Sequence, residues 1–249
     1  MNYLEVKNLS KRYNDEVGFV VNLIEDTSFD VAGNTIVSIL APTGAGKSSI
    51  LKIISGLEEL TEGTITINSP NKKIVYIPSE PSSFPWYNVK ENIELVRKDS
   101  ISLDEVIKLV KLEGYEDHFP DNKSAGFRFR ISLARAIAAG ADIIVIDEPF
   151  KYMTAAARLR IYELLLGIKA QTKISFVLGS TNLSEAIFLS DRIYLMKKNP
   201  GKIIDSSDVV FDNKRNSDVM NTDKFIEYRN RIEKLLKSEK SQLLSDIVI

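Results

Sequence analysis

Ala41-Pro42-Thr43-Gly44-Ala45-Gly46-Lys47-Ser48 is the stretch on which the fold of this chain turns. Before it, Thr35-Ile36-Val37-Ser38-Ile39-Leu40 is apolar and β-branched, the signature of a buried strand. After it, Ser49-Ile50-Leu51-Lys52-Ile53-Ile54 reads as a helix. Strand, glycine-rich loop and helix in that order make a phosphate-binding loop. Gly44 and Gly46 let main-chain N–H groups turn inward around phosphate oxygens, and the helix N-terminus adds partial positive charge. Pro42, Thr43, Ala45 and Ser49 complete the wrap. Lys47 reaches the terminal phosphates and Ser48 holds Mg²⁺. The strict pattern has Gly at the first position, where this chain has Ala41. That exchange is harmless if the backbone there does not need a positive φ.

Composition narrows the field. The chain has 249 residues, 44% of them hydrophobic, enough for one large α/β domain with an inserted subdomain. Lys+Arg number 33 against 34 Asp+Glu, so no chain-wide electrostatic grip on nucleic acid is expected. There is no cysteine, which excludes disulfides, thiolate metal sites and cysteine nucleophiles. No apolar run approaches the roughly 20 residues of a bilayer-spanning helix. The opening Met-Asn-Tyr-Leu-Glu-Val-Lys reads as a strand rather than a signal peptide. These features predict a cytoplasmic protein.

Along the chain, Tyr3–Lys7 and apolar stretches within Val20–Val31 have strand character, as in an antiparallel flap. Gly63–Asn68 and Lys73–Ile77 are further strands, and Ser79–Phe84 is a Ser- and Pro-rich loop. Helical spacing near Val89–Val96 and Leu103–Val110 predicts a small helical insert. Ile143–Ile146, Ile174–Leu178 and Ile193–Met196 are core strands, with a helix around Ser184–Leu189 between the last two. Phe225–Leu236 is an amphipathic helix.

An acidic element follows the first of these core strands. Ile143-Ile144-Val145-Ile146-Asp147-Glu148-Pro149 places two carboxylates at the end of a strand, the sheet edge where α/β proteins bind ligands. Asp147 is the candidate metal ligand, acting through the metal's waters. Glu148 is the candidate catalytic base that polarises water.

Taken together these motifs resemble the ATP-binding subunit of an ABC transporter, from Leu4 to about Asp205. Ser28-Phe29-Asp30-Val31, the 41–49 loop, Ser55-Gly56-Leu57, Gly63, Phe84-Pro85-Trp86, Leu133-Ala134-Arg135-Ala136, Asp147-Glu148-Pro149-Phe150 and the run Ser184–Arg192 fall in the family's order and spacing. Pro85-Trp86, a turn at Pro200-Gly201-Lys202-Ile203 and the tail Tyr228-Arg229-Asn230-Arg231-Ile232 look like importers of nitrate, sulfonate and taurine type. The resemblance implies a RecA-like P-loop NTPase core with an antiparallel β flap and an inserted α-helical subdomain. It divides the chain into a first core part with the flap (1–83), a helical subdomain with the signature (84–135), a second core part (136–211) and a C-terminal helical tail (212–249). It also implies Mg²⁺ and ATP as ligands, a transmembrane permease as partner, and a place on the inner face of the cell membrane. Tyr13 sits where the family stacks an aromatic ring on adenine; the alternative is an ordinary surface tyrosine. Trp86 is either a permease contact or core packing.

Members of the family pair head to tail, each nucleotide lying between one phosphate loop and the partner's Leu-Ser-Gly-Gly-Gln signature. Here that segment is Lys123-Ser124-Ala125-Gly126-Phe127. Ser124 and Gly126 keep a hydroxyl and an N–H at a helix start, to face the nucleotide of the neighbouring protomer, or serve as a helix cap alone. Ser79 replaces the family's metal-sensing glutamine, in a loop stiffened by Pro78 and Pro81. Thr181 stands where its switch histidine belongs, and Thr154 replaces an aspartate that addresses the opposite site. The only histidine, His118, reads as a surface loop residue. Losing one charge-stabilising group typically costs about 3 kcal/mol in a transition state, and such losses do not add. The expectation is ATP binding with impaired hydrolysis, in a homodimer or in a heterodimer with a standard ABC ATPase subunit. The alternative is a regulatory or structural subunit that binds ATP without turning it over.

Overall fold

The structure, a computed structural model, describes residues 1–14, 18–80, 82–121, 123–212 and 215–245, with side chains placed as far as 236. Pro81, one of the two prolines expected to stiffen the loop before Phe84, lies outside the described residues.

Two long strands open the chain, β1 (Asn2–Asn14) and β2 (Val20–Ala32), followed by β3 (Ile36–Leu40) and helix α1 (Lys47–Ile54). Strands β4 (Glu62–Ile67) and β5 (Ile74–Ile77) lead to helices α2 (Val89–Glu94), α3 (Leu103–Leu109) and α4 (Ala125–Ala138). Next come β6 (Ile143–Asp147), α5 (Ala155–Gln171), β7 (Ser175–Ser180), α6 (Leu183–Leu189), β8 (Arg192–Lys197) and β9 (Lys202–Asp208). A 3₁₀ turn at Ser217–Asn221 precedes α7 (Asp223–Ser245). Among the described residues, β2, β1 and β4 form an antiparallel sheet in that order. A six-stranded sheet has the order β5-β6-β7-β3-β8-β9, parallel throughout except for β9.

The alternation of side chains along a strand explains how the central sheet is covered. Ile36 and Leu40 of β3, Ile144 and Ile146 of β6, and Phe176 and Leu178 of β7 all point into one core, with Leu133 of α4, Leu165 of α5 and Phe188 of α6. Their neighbours Val37, Ile39, Ile143, Val145 and Val177 point into a second core, with Ile50 and Leu51 of α1 and Leu4, Val6 and Phe29 of the antiparallel sheet. Strands buried on both faces read as unbroken apolar runs. That is why β3, β6 and β7 stand out in the sequence.

The anticipated strands and helices are present, with three differences. Lys202 and Ile203 belong to β9 rather than to a turn, pairing antiparallel with Lys197 and Met196. α5, a 17-residue helix, is not signalled by a single apolar stripe. It is wedged between elements, and Leu159 and Leu166 pack against the core as well as Ile161, Leu165 and Ile168. The last helix begins near the predicted start but continues to Ser245.

Parallel pairing sets the site. Leu40 lies beside Ser180, and Asp147 beside Gly179, so β3, β6 and β7 end together. Two main-chain bonds tie these ends: Ala41 N–H donates to the Ser180 carbonyl at 3.1 Å, and Glu148 N–H to the Gly179 carbonyl at 3.0 Å.

Candidate functional site

The loop from Ala41 to Gly46 leaves the end of β3 and enters α1 at Lys47. Gly44 and Gly46 have φ of 83° and 86°, the left-handed region that side chains disfavour. At Gly46 space is short as well, since a Cβ there would come within 2.9 Å of the Ile24 side chain. Ala41 is not among the residues with positive φ, and it is buried at 3% exposure. Alanine at that position therefore costs the loop nothing in backbone strain.

Lys47 is only 5% exposed, and its Nζ donates to Glu148 Oε1 at 2.6 Å. The phosphate loop and the acidic strand end, 101 positions apart, thus meet in one ion pair. Glu148 itself has φ of 43°, a conformation uncommon for a side-chain-bearing residue. Beside it Asp147 is 6% exposed. Its Oδ2 accepts from the Tyr76 hydroxyl at 3.1 Å, while its Oδ1 is buried without a partner. Burial and the adjacent Asp147 charge raise the Tyr76 phenol above its ordinary pKa, so it stays a neutral donor. Tyr76 is invisible as a site residue in sequence. Its one signal is a phenol inside an apolar strand that pairs with β6.

Farther along the same edge, a cavity of about 270 Å³ opens between Thr43, Glu148, Phe150, Lys151, Arg158 and the 180–182 segment. At its wall, Glu185 accepts from the Ser180 hydroxyl at 2.8 Å and from the Tyr162 hydroxyl at 3.1 Å. Burial, opposed by these two hydrogen bonds, pushes its carboxyl up to about 6. Thr181, at the position of the family's histidine, is exposed on this wall.

Tyr13 does not line this cavity. Its hydroxyl bonds Glu58 and comes within 3.4 Å of Ser49 Oγ. The ring is 39% exposed, with Lys11 Nζ at 4.8 Å from its centroid. It is therefore tethered beside the start of α1.

Other candidates lie apart from this cluster. Ser124 is the N-cap of α4, its hydroxyl accepting from Phe127 N–H at 3.3 Å. Gly126 is buried in the first turn, where an added Cβ would stand 4.0 Å from Ala157 Cβ. Neither residue lines the cavity beside Lys47 and Glu148. Thr154 caps α5 through Ala157 N–H at 3.3 Å, filling the structural role open to any short oxygen-bearing side chain. His118 lies in an exposed loop, as its sequence context predicts. Trp86 is 65% exposed, which rules out core packing; it leans on Phe84 at a centroid distance of 5.5 Å. Among the described residues, no helix is long and apolar enough to cross a membrane.

The model of the ABC transporter family matches residues 24–151, which include the loop, the acidic strand end and α4. The aliphatic sulfonates import ATP-binding protein SsuB of Bacillus cereus is 35% identical over 210 residues, covering 80% of this chain and 83% of that protein. The solved dimeric structure of a bacterial ABC transporter cassette superposes with a TM-score of 0.71 at 23% identity, over 84% of this chain and 99% of its own. CbiO1 of Clostridium perfringens, part of an ABC transporter complex, matches with a TM-score of 0.73 at 18% identity, over 95% and 99%. The central sheet, the antiparallel sheet beside it and the strand-end site thus form an ABC ATPase fold, and the chain belongs to the ABC transporter family as an ATP-binding subunit.

Proposed function

We infer that this subunit binds Mg²⁺–ATP at the edge formed by β3, β6 and β7 and hydrolyses it slowly to drive an importing permease. One observation carries the reading: the buried Lys47 ammonium at 2.6 Å from Glu148, above a loop whose glycines hold left-handed backbone. The main-chain N–H groups of Thr43–Ser48 surround the phosphates, with Pro42 shaping the entry to the loop and Ser49 at the following turn. Tyr13 flanks the base. A terminal phosphate reaching Lys47 competes with Glu148 for the ammonium and releases the carboxylate. Glu148 then orients a water and takes its proton. As the new bond to the γ-phosphorus forms, the bond to the ADP oxygen breaks, and inorganic phosphate leaves.

Mg²⁺ fits the residues present. The unpartnered, buried Asp147 Oδ1 and the Ser48 hydroxyl are hard oxygen donors, and this ion is held by one or two such groups plus phosphates and waters. It supplies neutralisation of charge on the phosphate oxygens. Asp147 is kept in place for this by the Tyr76 hydroxyl.

The four-part division at 83/84, 135/136 and 211/212 belongs to this reading. So do pairing with a second cassette through Ser124 and Gly126, and attachment to a permease on the inner membrane face. Supporting the permease is the exposed Trp86, which packs on half-buried Phe84 and Tyr87. Import is supported by the sulfonate-import relative. Slow turnover follows from Ser79, Thr181 and Thr154, which lack the reach or charge of an amide, an imidazole and a carboxylate. The same three positions favour the second reading, a subunit that ATP merely locks in a closed state beside an intact partner.

Measuring ATP turnover in the purified chain, alone and with a standard cassette, separates the two. The first reading expects measurable hydrolysis that Glu148→Gln lowers at least a hundredfold while ATP uptake persists. Undetectable turnover in every combination leaves the second reading, and absence of ATP uptake removes both.

A further inference from the structure

The 270 Å³ cavity beyond Lys47 has a chemistry that the loop and acidic strand do not explain. Two cations line it, Lys151 from the connection between β6 and α5 and Arg158 from the first turn of α5. Lys151 follows Glu148 by three residues, in a turn closed by its N–H on the Glu148 carbonyl at 3.4 Å. Arg158 rises from the first turn of α5, its N–H bound to the Thr154 carbonyl at 2.9 Å. Neither cation has a carboxylate partner within 4.0 Å among the described residues. Lys151 Nζ instead stands 5.5 Å from the Tyr152 ring centroid. Hydrogen-bonding groups of Thr43, Thr181 and Asn182 complete the wall.

We propose that Lys151, in the β6–α5 connection, and Arg158, in the first turn of α5, contact the terminal phosphate of bound ATP from the chain's own side, supplying the positive charge that Thr181 cannot. This rests on the reading of the site as an ATP site. The cavity adjoins Glu148, which holds Lys47, so it lies at the terminal-phosphate end of the loop, and Tyr13 is not part of its lining. A γ-phosphate entering there brings charge that ADP lacks, and two unpaired cations are the groups that reward it. The nearby Glu185 feels the Arg158 charge but forms no ion pair with it among the described residues; its two oxygens accept from Ser180 and Tyr162. The cations therefore read the difference between ATP and ADP rather than adding general nucleotide affinity.

Calorimetric titration at fixed Mg²⁺ with the imido analogue of ATP, and separately with ADP, tests this. The quantity read is the ratio of the two affinities. Arg158→Gln is expected to lower that ratio about tenfold, and Lys151→Ala about threefold, with ADP affinity unchanged in both. Lys151 is solvent-exposed, so its variant carries the test if Arg158→Gln fails to fold. Equal weakening of both nucleotides would mark the cations as structural supports and overturn the proposal. So would an unchanged ratio in Lys151→Ala and in a folded Arg158→Gln. If the wild type binds neither nucleotide, the ATP reading itself falls and takes this one with it. Nucleotide uptake with an unaltered ratio sinks the cation assignment alone.

Discussion

The edge built by Ala41–Ser48 and the surfaces carrying Ser79, Ser124, Thr154 and Thr181 obey different rules. At the first, the groups offered to a ligand are mainly main-chain ones: two glycines at positive φ and a helix start, with one buried ammonium beside them. Such a site tolerates Ala41, because a side chain outside the left-handed positions changes no donor. At the second group, function in the family rests on what one side chain can reach. There a substitution removes the group while leaving the fold intact. Thr154 shows this directly, since it serves as a helix N-cap whatever becomes of its chemistry. Main-chain sites fail through backbone geometry; side-chain sites fail quietly.

If the contrast is right, the largest effect belongs to Gly46→Ala. A methyl group there meets Ile24 at 2.9 Å on a backbone at φ 86°, and about 3 kcal/mol of stability is expected to go, read by urea unfolding. A loss below about 0.5 kcal/mol would show that the loop is not conformationally dictated.

Next comes Glu185. Its folded pKa of about 6 exceeds the ordinary 4.5, so the native state holds its proton more tightly. The stabilisation is full below pH 4.5 and is lost as pH rises through 6, on the order of 2 kcal/mol in all. Unfolding free energies of wild type and Glu185→Gln, compared from pH 4.5 to 7.5, are expected to show that slope in the wild type only.

Thr181→His sharpens the comparison in the other direction. Restoring an imidazole on the cavity wall is expected to raise ATP turnover about tenfold, roughly 1.4 kcal/mol, with little change in ATP affinity. An unchanged rate constant in a steady-state assay would mean that the missing histidine is not what limits hydrolysis. Smallest is Thr154→Ala, which removes a cap and is expected to cost about 1 kcal/mol in the same urea experiment. A much larger loss would give Thr154 more than a capping role.

How far each region could be read in sequence follows from the same distinction. β3, the loop and β6 are contiguous runs whose burial on both faces leaves no ambiguity of period. α5 hides because Leu159, Ile161, Leu164, Leu165, Leu166 and Ile168 are apolar around most of the helix, so no single stripe marks it. β9 hides because its residues are mostly half-buried at an edge and follow a Pro-Gly pair that reads as a turn. The exposure of Trp86 is a matter of which face the insert turns outward, which one aromatic in a loop cannot declare. The Lys47–Glu148 pair and the cations of the cavity join residues about a hundred positions apart. Only parallel pairing of β3, β7 and β6 brings them to one edge.

The central claim is that main-chain amides and the Lys47 ammonium together hold a nucleotide triphosphate, and calorimetry of ATP with magnesium on wild type and Lys47→Ala tests it most directly. Saturable uptake by the wild type, weakened at least a hundredfold by Lys47→Ala in a folded protein, is the predicted result; no uptake by the wild type, or equal uptake by both, would contradict it.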